Sequence, residues 1–246
     1  MPFTFKPRPK GLTLQANPET MKITYYGHAC FMVEINNKNI LFDPFISPNA
    51  LAGHIDVNQI HADAILVSHG HGDHIADAET IAGNSNAPII SNFEVASWFG
   101  EKGLAYHPMN HGGTWQFDFG TVKYVHAVHS STLPDGSNGG AAGGFVVWND
   151  QTAFYFAGDT ALSMDMKLIP LTCPKLNFAI LPIGDNFTMG YQDAVIAADF
   201  IACDTIIGCH YDTFGFIKID HEAARQAFAD KGKTLILPSI GETFNL

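Results

Sequence analysis

The stretch Ser68-His69-Gly70-His71-Gly72-Asp73-His74 follows directly on an apolar run, Ala64-Ile65-Leu66-Val67. That run is short, partly β-branched and ended by a glycine-punctuated turn, so it reads as a buried strand. A strand that stops at a tight loop presents the loop's side chains at a sheet edge, where α/β proteins place their sites. Glycines on either side of His71 let the backbone turn sharply, so His69, His71, Asp73 and His74 can converge from different directions. Neutral imidazole and carboxylate are ligands for zinc, iron or manganese. A merely solvated loop would not require such a density of ligands.

The pattern His-x-His-x-Asp-His resembles the signature of the metallo-β-lactamase superfamily. In that family the first two histidines hold one metal, and the adjacent Asp and His hold a second. A further histidine completes the first site, an aspartate bridges both metals, and a last histidine completes the second. Downstream residues match in order, each just past a hydrophobic run. His129 follows a strand read over 122–128, Asp159 follows Ala153–Ala157 and Gly158, and His210 follows Asp204–Cys209. His126 is the rival to His129, but it lies within the apolar strand and is expected to be held in the sheet. Gly158 is expected to remove a side chain where the backbone approaches the metals.

Finer similarities point to the branch of metal-dependent hydrolases that includes L-ascorbate-6-phosphate lactonase. They are carried by Tyr25-Tyr26-Gly27-His28-Ala29-Cys30, Phe42-Asp43-Pro44-Phe45, His129-Ser130-Ser131, Ala157-Gly158-Asp159-Thr160 and Leu181-Pro182-Ile183-Gly184-Asp185. Phe187-Thr188-Met189-Gly190 and His210-Tyr211-Asp212-Thr213-Phe214 extend the likeness toward the C-terminus. The resemblance implies that His69, His71 and His129 hold the first metal, and that Asp73, His74 and His210 hold the second. Asp159 would bridge the two. Catalytic roles would fall to Asp159 and to Asp73, which could also orient the nucleophile or carry a proton.

The implied cofactors are two divalent ions, zinc first, with manganese or iron as substitutes. Such a pair can share a hydroxide and polarise a substrate oxygen, so no serine or cysteine nucleophile is needed. The expected reaction is hydrolysis of a small anionic substrate, a phosphoester or a lactone. Competing readings are an iron-based redox or oxygen-handling protein on the same scaffold, and a metal-binding protein without catalysis. Flavin-linked di-iron relatives carry a glutamate where this chain has His71, and a complete ligand set argues against lost catalysis.

Around this set, His28 is either a contact to a ligand or to the substrate, or a hydrogen-bonded turn residue. Asp43 is expected behind a metal-bound imidazole. Asp185, Thr188 and Tyr211 are candidate pocket residues from the resemblance. His54, on a loop, is a candidate substrate contact or simply an exposed histidine. His107 and His111 read as loop residues beside Pro108 and Gly112-Gly113, and His61 and His221 as surface positions.

Composition narrows the class further. The 246 residues can bury a full core, and 46% hydrophobic with 15% charged residues suits a compact enzyme. A net charge of −11 with no Lys/Arg cluster after Lys10 disfavours nucleic acid as a partner. No apolar stretch approaches a membrane span, and Lys6, Arg8 and Lys10, separated by prolines, precede no signal-peptide core. Cys30, Cys173, Cys203 and Cys209 form no Cys-x-x-Cys pair, which points to free thiols in a reducing, cytoplasmic setting. Cys209 is expected to point away from His210 into packing. A small-molecule substrate is the expected partner, and the resemblance leaves room for a homo-oligomer.

Residues 1–20 read as a proline-rich N-terminal extension and 21–246 as one hydrolase domain. Strands are expected at 22–26, 30–35, 39–43, 64–67, 88–91, 115–119, 121–128, 145–148, 153–157, 177–182, 204–209 and 233–238. Helices are expected at 75–82, 94–102, near 161–168, at 190–202 and at 221–231. Asn36-Asn37-Lys38-Asn39 signals a hairpin. The glycine-rich segment 134–144 is either a substrate-covering flap or a plain connection. The pattern and the resemblance together imply an α/β fold, the αβ/βα four-layer sandwich with two central mixed sheets.

Overall fold

The structure is a computed structural model that describes residues 21–246. The expected N-terminal extension, 1–20, lies outside the described residues. Fourteen strands form two seven-stranded sheets. The first sheet runs β14 (Thr243–Asn245), β1 (Lys22–Gly27), β2 (Cys30–Ile35), β3 (Lys38–Phe42), β4 (Ala64–Leu66), β5 (Ile89–Asn92) and β6 (Tyr106–Met109). The second runs β13 (Thr234–Ile236), β12 (Thr205–Cys209), β11 (Phe178–Pro182), β10 (Ala153–Phe156), β9 (Gly143–Trp148), β8 (Thr121–His126) and β7 (Thr114–Gln116).

Each sheet is antiparallel on one side and parallel on the other. β14 through β3 pair as antiparallel neighbours, and β3 through β6 run parallel. In the second sheet β7 through β10 are antiparallel and β10 through β13 are parallel. Asn36 and Asn37 take φ of 50° and 57° at the β2–β3 turn, the left-handed conformation a tight hairpin requires.

Alternation puts aromatic residues on the two facing sheet surfaces. Phe42 meets Phe156 at 4.8 Å and Phe154 at 5.8 Å between ring centroids, and Phe154 stacks on Phe178. This inter-sheet layer also takes Phe31, Tyr124, Phe145 and Cys209, so Cys209 does pack inward. Outside the first sheet, Ile65 and Ile89 pack against α2 (Ala78–Ser85) and α3 (Phe93–Glu101). Outside the second, Tyr155, Ala179 and Ile206 pack against α5 (Tyr191–Phe200) and α6 (His221–Ala229). The order is helix, sheet, sheet, helix, which is the expected αβ/βα sandwich. No helix among the described residues is long and apolar enough to cross a membrane.

Several expected elements change in detail. The helix expected over 75–82 divides into α1 (Gly72–Ile75) and α2. At the break, the Asp77 carboxylate accepts from the Ile46 and Ser47 amides at 2.6 and 2.9 Å, so it anchors the loop after β3 instead of capping α2. Residues 164–168 form a 3-10 turn before the short α4 (Ile169–Thr172), where Pro170 sits in the first turn. Strands β6 and β14 had no sequence signal. Both are sheet edges, where a residue such as Pro108 or a three-residue ladder is tolerated. His107 therefore lies in a strand, its ring packed on Trp115 and Phe117, while His111 stays in a turn.

His126 also departs from expectation. Pairing with β9 ends at His126↔Gly143, so His126 closes the strand, exposed, with Nδ1 2.9 Å from Asp165. The segment 134–144 is tied down: Trp98 donates to Asp135 at 2.6 Å, and Asn92 donates to the Gly139 carbonyl at 2.8 Å. It lines no part of the cleft described below. In this structure it is a tethered connection beside the cleft's sheet.

Candidate metal centre

All the expected ligands lie just past strand ends on one rim of the sandwich. β4 delivers His69 and His71, and α1 places Asp73 and His74 on successive helical positions. His129 follows β8, Asp159 follows β10 and His210 follows β12. Gly158 has φ of 61°, and a Cβ there would stand 2.5 Å from the Ser68 Cβ. The missing side chain thus lets β10 approach the histidine loop of the opposite sheet. The two sheets are tied at this rim by the Gly143 amide and the Tyr124 hydroxyl, which both donate to the Ser68 carbonyl, at 3.2 and 2.7 Å.

The structure brings the expected ligands together in two groups, and Asp43 clusters with His69 and His74 beside them. His69, His71 and His129 form one, with His69 Nε2 3.0 Å from His71 Nδ1. Asp73, His74 and His210 form the other, joined by His28. Between them stands Asp159. Its Oδ2 lies 3.2 Å from His74 Nε2, 2.9 Å from His210 Nε2 and 3.6 Å from His129 Nε2.

Hydrogen bonding behind the ligands fixes which ring nitrogen faces inward. Asp43 accepts from the Ser68 amide at 2.7 Å and from the Ser68 hydroxyl at 2.6 Å. With its proton so committed, Ser68 Oγ accepts from His69 Nδ1 at 2.9 Å, leaving the His69 Nε2 lone pair directed at the site. Asp43 Oδ2 also takes His74 Nδ1 at 2.7 Å, which directs His74 Nε2 inward. Asp43 is thereby the expected partner behind a ligand, and Ser68 is a partner that sequence reasoning missed. Its only signal was its place between the strand and the first histidine.

Buried polar atoms without a hydrogen bond concentrate here: His74 Nε2, Asp159 Oδ1 and both nitrogens of His210. The imidazoles approach Asp159 closely yet lack hydrogen-bond alignment with it. Leaving such atoms unpaired costs about 1–3 kcal/mol each, so they are expected to have a partner. A divalent cation fits this convergence of nitrogen and carboxylate donors. His28, Asp43 and His210 also hold left-handed backbone, with φ of 57°, 40° and 55°. Such conformations cluster at functional sites, where the surroundings enforce them.

Protonation follows from burial and charge. Burial holds His69 well below the usual histidine range and lowers His71 and His129, which keeps all three in the neutral ligand form. Burial also pulls down on His74 and His210, but Asp159 outweighs it, helped by Asp43 at His74 and Asp73 at His210. His74 is raised well above its ordinary value, and His210 to about 9. Asp73 and Asp159 resist burial and are held low by their histidine neighbours, and burial raises Asp43 despite its donors.

His28 is completely buried, with Nε2 3.1 Å from Asp73 Oδ2 and its ring 4.0 Å from that of His210. Burial lowers it to about 4. Of the remaining candidates, His54 is exposed and joins no ligand group. Asp185 is exposed, with a left-handed φ of 63° that turns the loop after β11. Tyr211 is buried against His221. Neither these two nor Thr188 lines the cleft.

Over the candidate ligands opens a cleft of about 730 Å³, floored by His71, Asp73, His129, Asp159 and His210. Its walls are Ser130, Thr213 and the loop aromatics Phe187, Phe214 and Phe216. The sequence signal was present in the right segments, but it fell on Thr188 and Tyr211. The aromatic neighbours are the residues that face the cleft.

A family model described as a β-lactamase superfamily domain matches residues 22–210. The chain is 58% identical over 226 residues to a UPF0173 metal-dependent hydrolase of Flavobacterium johnsoniae, covering 92% of this chain and all of that one. It is 44% identical over 237 residues to the UPF0173 metal-dependent hydrolase YtkL of Bacillus subtilis, again covering 92% of this chain and all of the relative. Among solved structures it resembles Igni18, a metallo hydrolase from Ignicoccus hospitalis, with TM-score 0.84 and 30% identity over 93% of this chain and 99% of that one. The chain belongs to the metallo-β-lactamase superfamily and is a metal-dependent hydrolase of that group.

Proposed function

We propose that the protein holds two divalent ions, zinc by first choice, and hydrolyses a small phosphoester or lactone in the cytoplasm. His69, His71 and His129 would hold one ion, Asp73, His74 and His210 the other, and Asp159 both. The observation that carries this reading is the position of Asp159 Oδ2 within 3.6 Å of imidazole nitrogens from both groups. When bound, such ions supply activated water near neutral pH and polarise the scissile oxygen.

The chain's own residues do the rest. Asp43 and Ser68 hold the His69 and His74 rings, so the ligand geometry costs little reorganisation. Asp73 is the floor carboxylate best placed for the proton, because its side chain is 27% exposed to the cleft. In lactone opening, the water oxygen bonds to the carbonyl carbon, the ring C–O bond breaks, and the water proton passes through the Asp73 carboxylate to the departing alkoxide. The motif resemblance to the ascorbate-phosphate lactonase branch is what supports the lactone. Elemental analysis after reconstitution should approach two ions per chain, and metal-loaded protein should cleave phosphodiesters or lactones without a redox cofactor. Saturation at one ion removes the two-ion reading, and oxygen consumption by an iron-loaded form alone replaces hydrolysis.

A further inference from the structure

The cleft walls carry a signal that the metal ligands do not. Phe187 and Phe216 are 49% and 78% exposed, with ring centroids 6.2 Å apart in an edge-on arrangement. Phe214 lies deeper, its ring 5.2 Å from that of His28 and 6.1 Å from that of Phe45. Two loops from different strands, after β11 and after β12, thus present apolar rings to the same opening. Neither exposed ring serves the core, so their burial waits on something that enters the cleft. Among the described residues no Lys or Arg lines it, and its only ionisable lining groups are Asp73, Asp159 and the histidines of the floor. A substrate with a charged tail would meet apolar rings and no counter-charge, losing hydration without recompense.

We infer that the part of the substrate away from the scissile bond is an uncharged apolar group, an alkyl chain or aryl ring, clasped between Phe187, Phe214 and Phe216. This rests on the hydrolytic reading of the metal centre and narrows it: any negative charge belongs to the reacting group, which sits over the ligands. The volume of about 730 Å³ accommodates a molecule of drug-like size and not only a small acid. Edge and face contacts from three rings suit a flat or linear apolar group.

The test uses zinc-reconstituted full-length protein and a series of γ-lactones with a constant ring and a side chain growing from none to six carbons. The value of kcat/KM should rise roughly fourfold for each of the first few methylenes, as burial of a CH₂ predicts. In the Phe187→Ala/Phe216→Ala double variant that rise should collapse to less than about half its slope per methylene, since two of the three walls are gone. Both rings are exposed, so their truncation leaves the core intact. Binding is read separately by ligand-observed NMR with γ-alkyl lactams, which keep the shape and resist cleavage. Turnover with a flat chain-length dependence, or a rise unchanged in the double variant, overturns the inference while leaving the hydrolytic reading in place. Chain-dependent lactam binding that the double variant loses, without turnover of any phosphoester, ester or lactone, upholds the apolar clasp of the three rings and sinks the hydrolytic reading. Tighter binding of a lactam bearing a terminal carboxylate or phosphate also overturns the inference.

Discussion

His28 Nε2 lies 3.1 Å from Asp73 Oδ2, although 45 residues separate them in the chain. The same histidine accepts the His210 amide on its carbonyl at 2.9 Å, so one residue of the β1–β2 turn holds candidate ligands from both halves. Its left-handed backbone, φ 57°, is what points carbonyl and ring toward the site together.

Replacing His28 by Asn should therefore act on one ion and not on both. Asn tolerates the left-handed conformation but cannot reach Asp73 with the same donor. Affinity for the second ion should fall roughly 10- to 100-fold, the usual cost of losing a partner behind a ligand. Affinity for the ion held by His69, His71 and His129 should stay within about twofold. Competitive chelator titration separates the two, and equal weakening of both would mean that His28 supports the fold alone.

Asp43 should be intolerant of change. It is fully buried and satisfies the Ser68 amide, the Ser68 hydroxyl and His74 Nδ1. Asp43→Ala orphans these donors, with an expected loss of about 3–5 kcal/mol of stability. It also releases His69 and His74 from the orientation that directs Nε2 inward. Denaturant unfolding of metal-free protein measures the first effect and metal titration the second. A loss below about 1 kcal/mol would contradict the network.

His129 and His126 should separate cleanly. His129→Ala removes a ligand nitrogen and should abolish turnover and occupancy of the first site. His126 is exposed and pairs with Asp165 on the surface, an interaction worth about 0–1 kcal/mol. His126→Ala should leave metal stoichiometry untouched. Anomalous scattering from an ion on His126 would place the first site wrongly here.

The metal-free protein should be most stable near pH 6.5, the ordinary histidine value. Burial keeps His28, His69, His71 and His129 below that value when folded, so their contribution is present above it and is lost as pH falls. Asp159, with Asp43 or Asp73, raises His74 and His210, the latter to about 9, so their contribution is full below 6.5 and lost as pH rises through about 9. Zinc uptake at pH 7.5 should accordingly release protons, which titration in buffers of different ionisation enthalpy detects. Denaturation midpoints that rise steadily from pH 5 to 9 would contradict this assignment.

By itself the sequence determined the candidate ligand set and the core that carries it. Each ligand follows an apolar run, and the spacing of His69, His71, Asp73 and His74 is chemistry written within a few residues. The β2–β3 turn was equally local, since Asn36 and Asn37 state their own backbone preference. Tertiary structure alone decided what lies behind and above those ligands. Ser68 and His28 gained their roles by bonding to residues 25 and 45 positions away. Trp98 and Asn92 fixed the 134–144 segment from α3 and its cap, a contact that its glycines could not announce. The cleft fell to Phe187 and Phe216 and not to Thr188 and Tyr211, because loops have no period from which to read a facing side. Alternation tells a strand residue which face it takes, whereas a loop residue learns its direction only from the elements that pack against it.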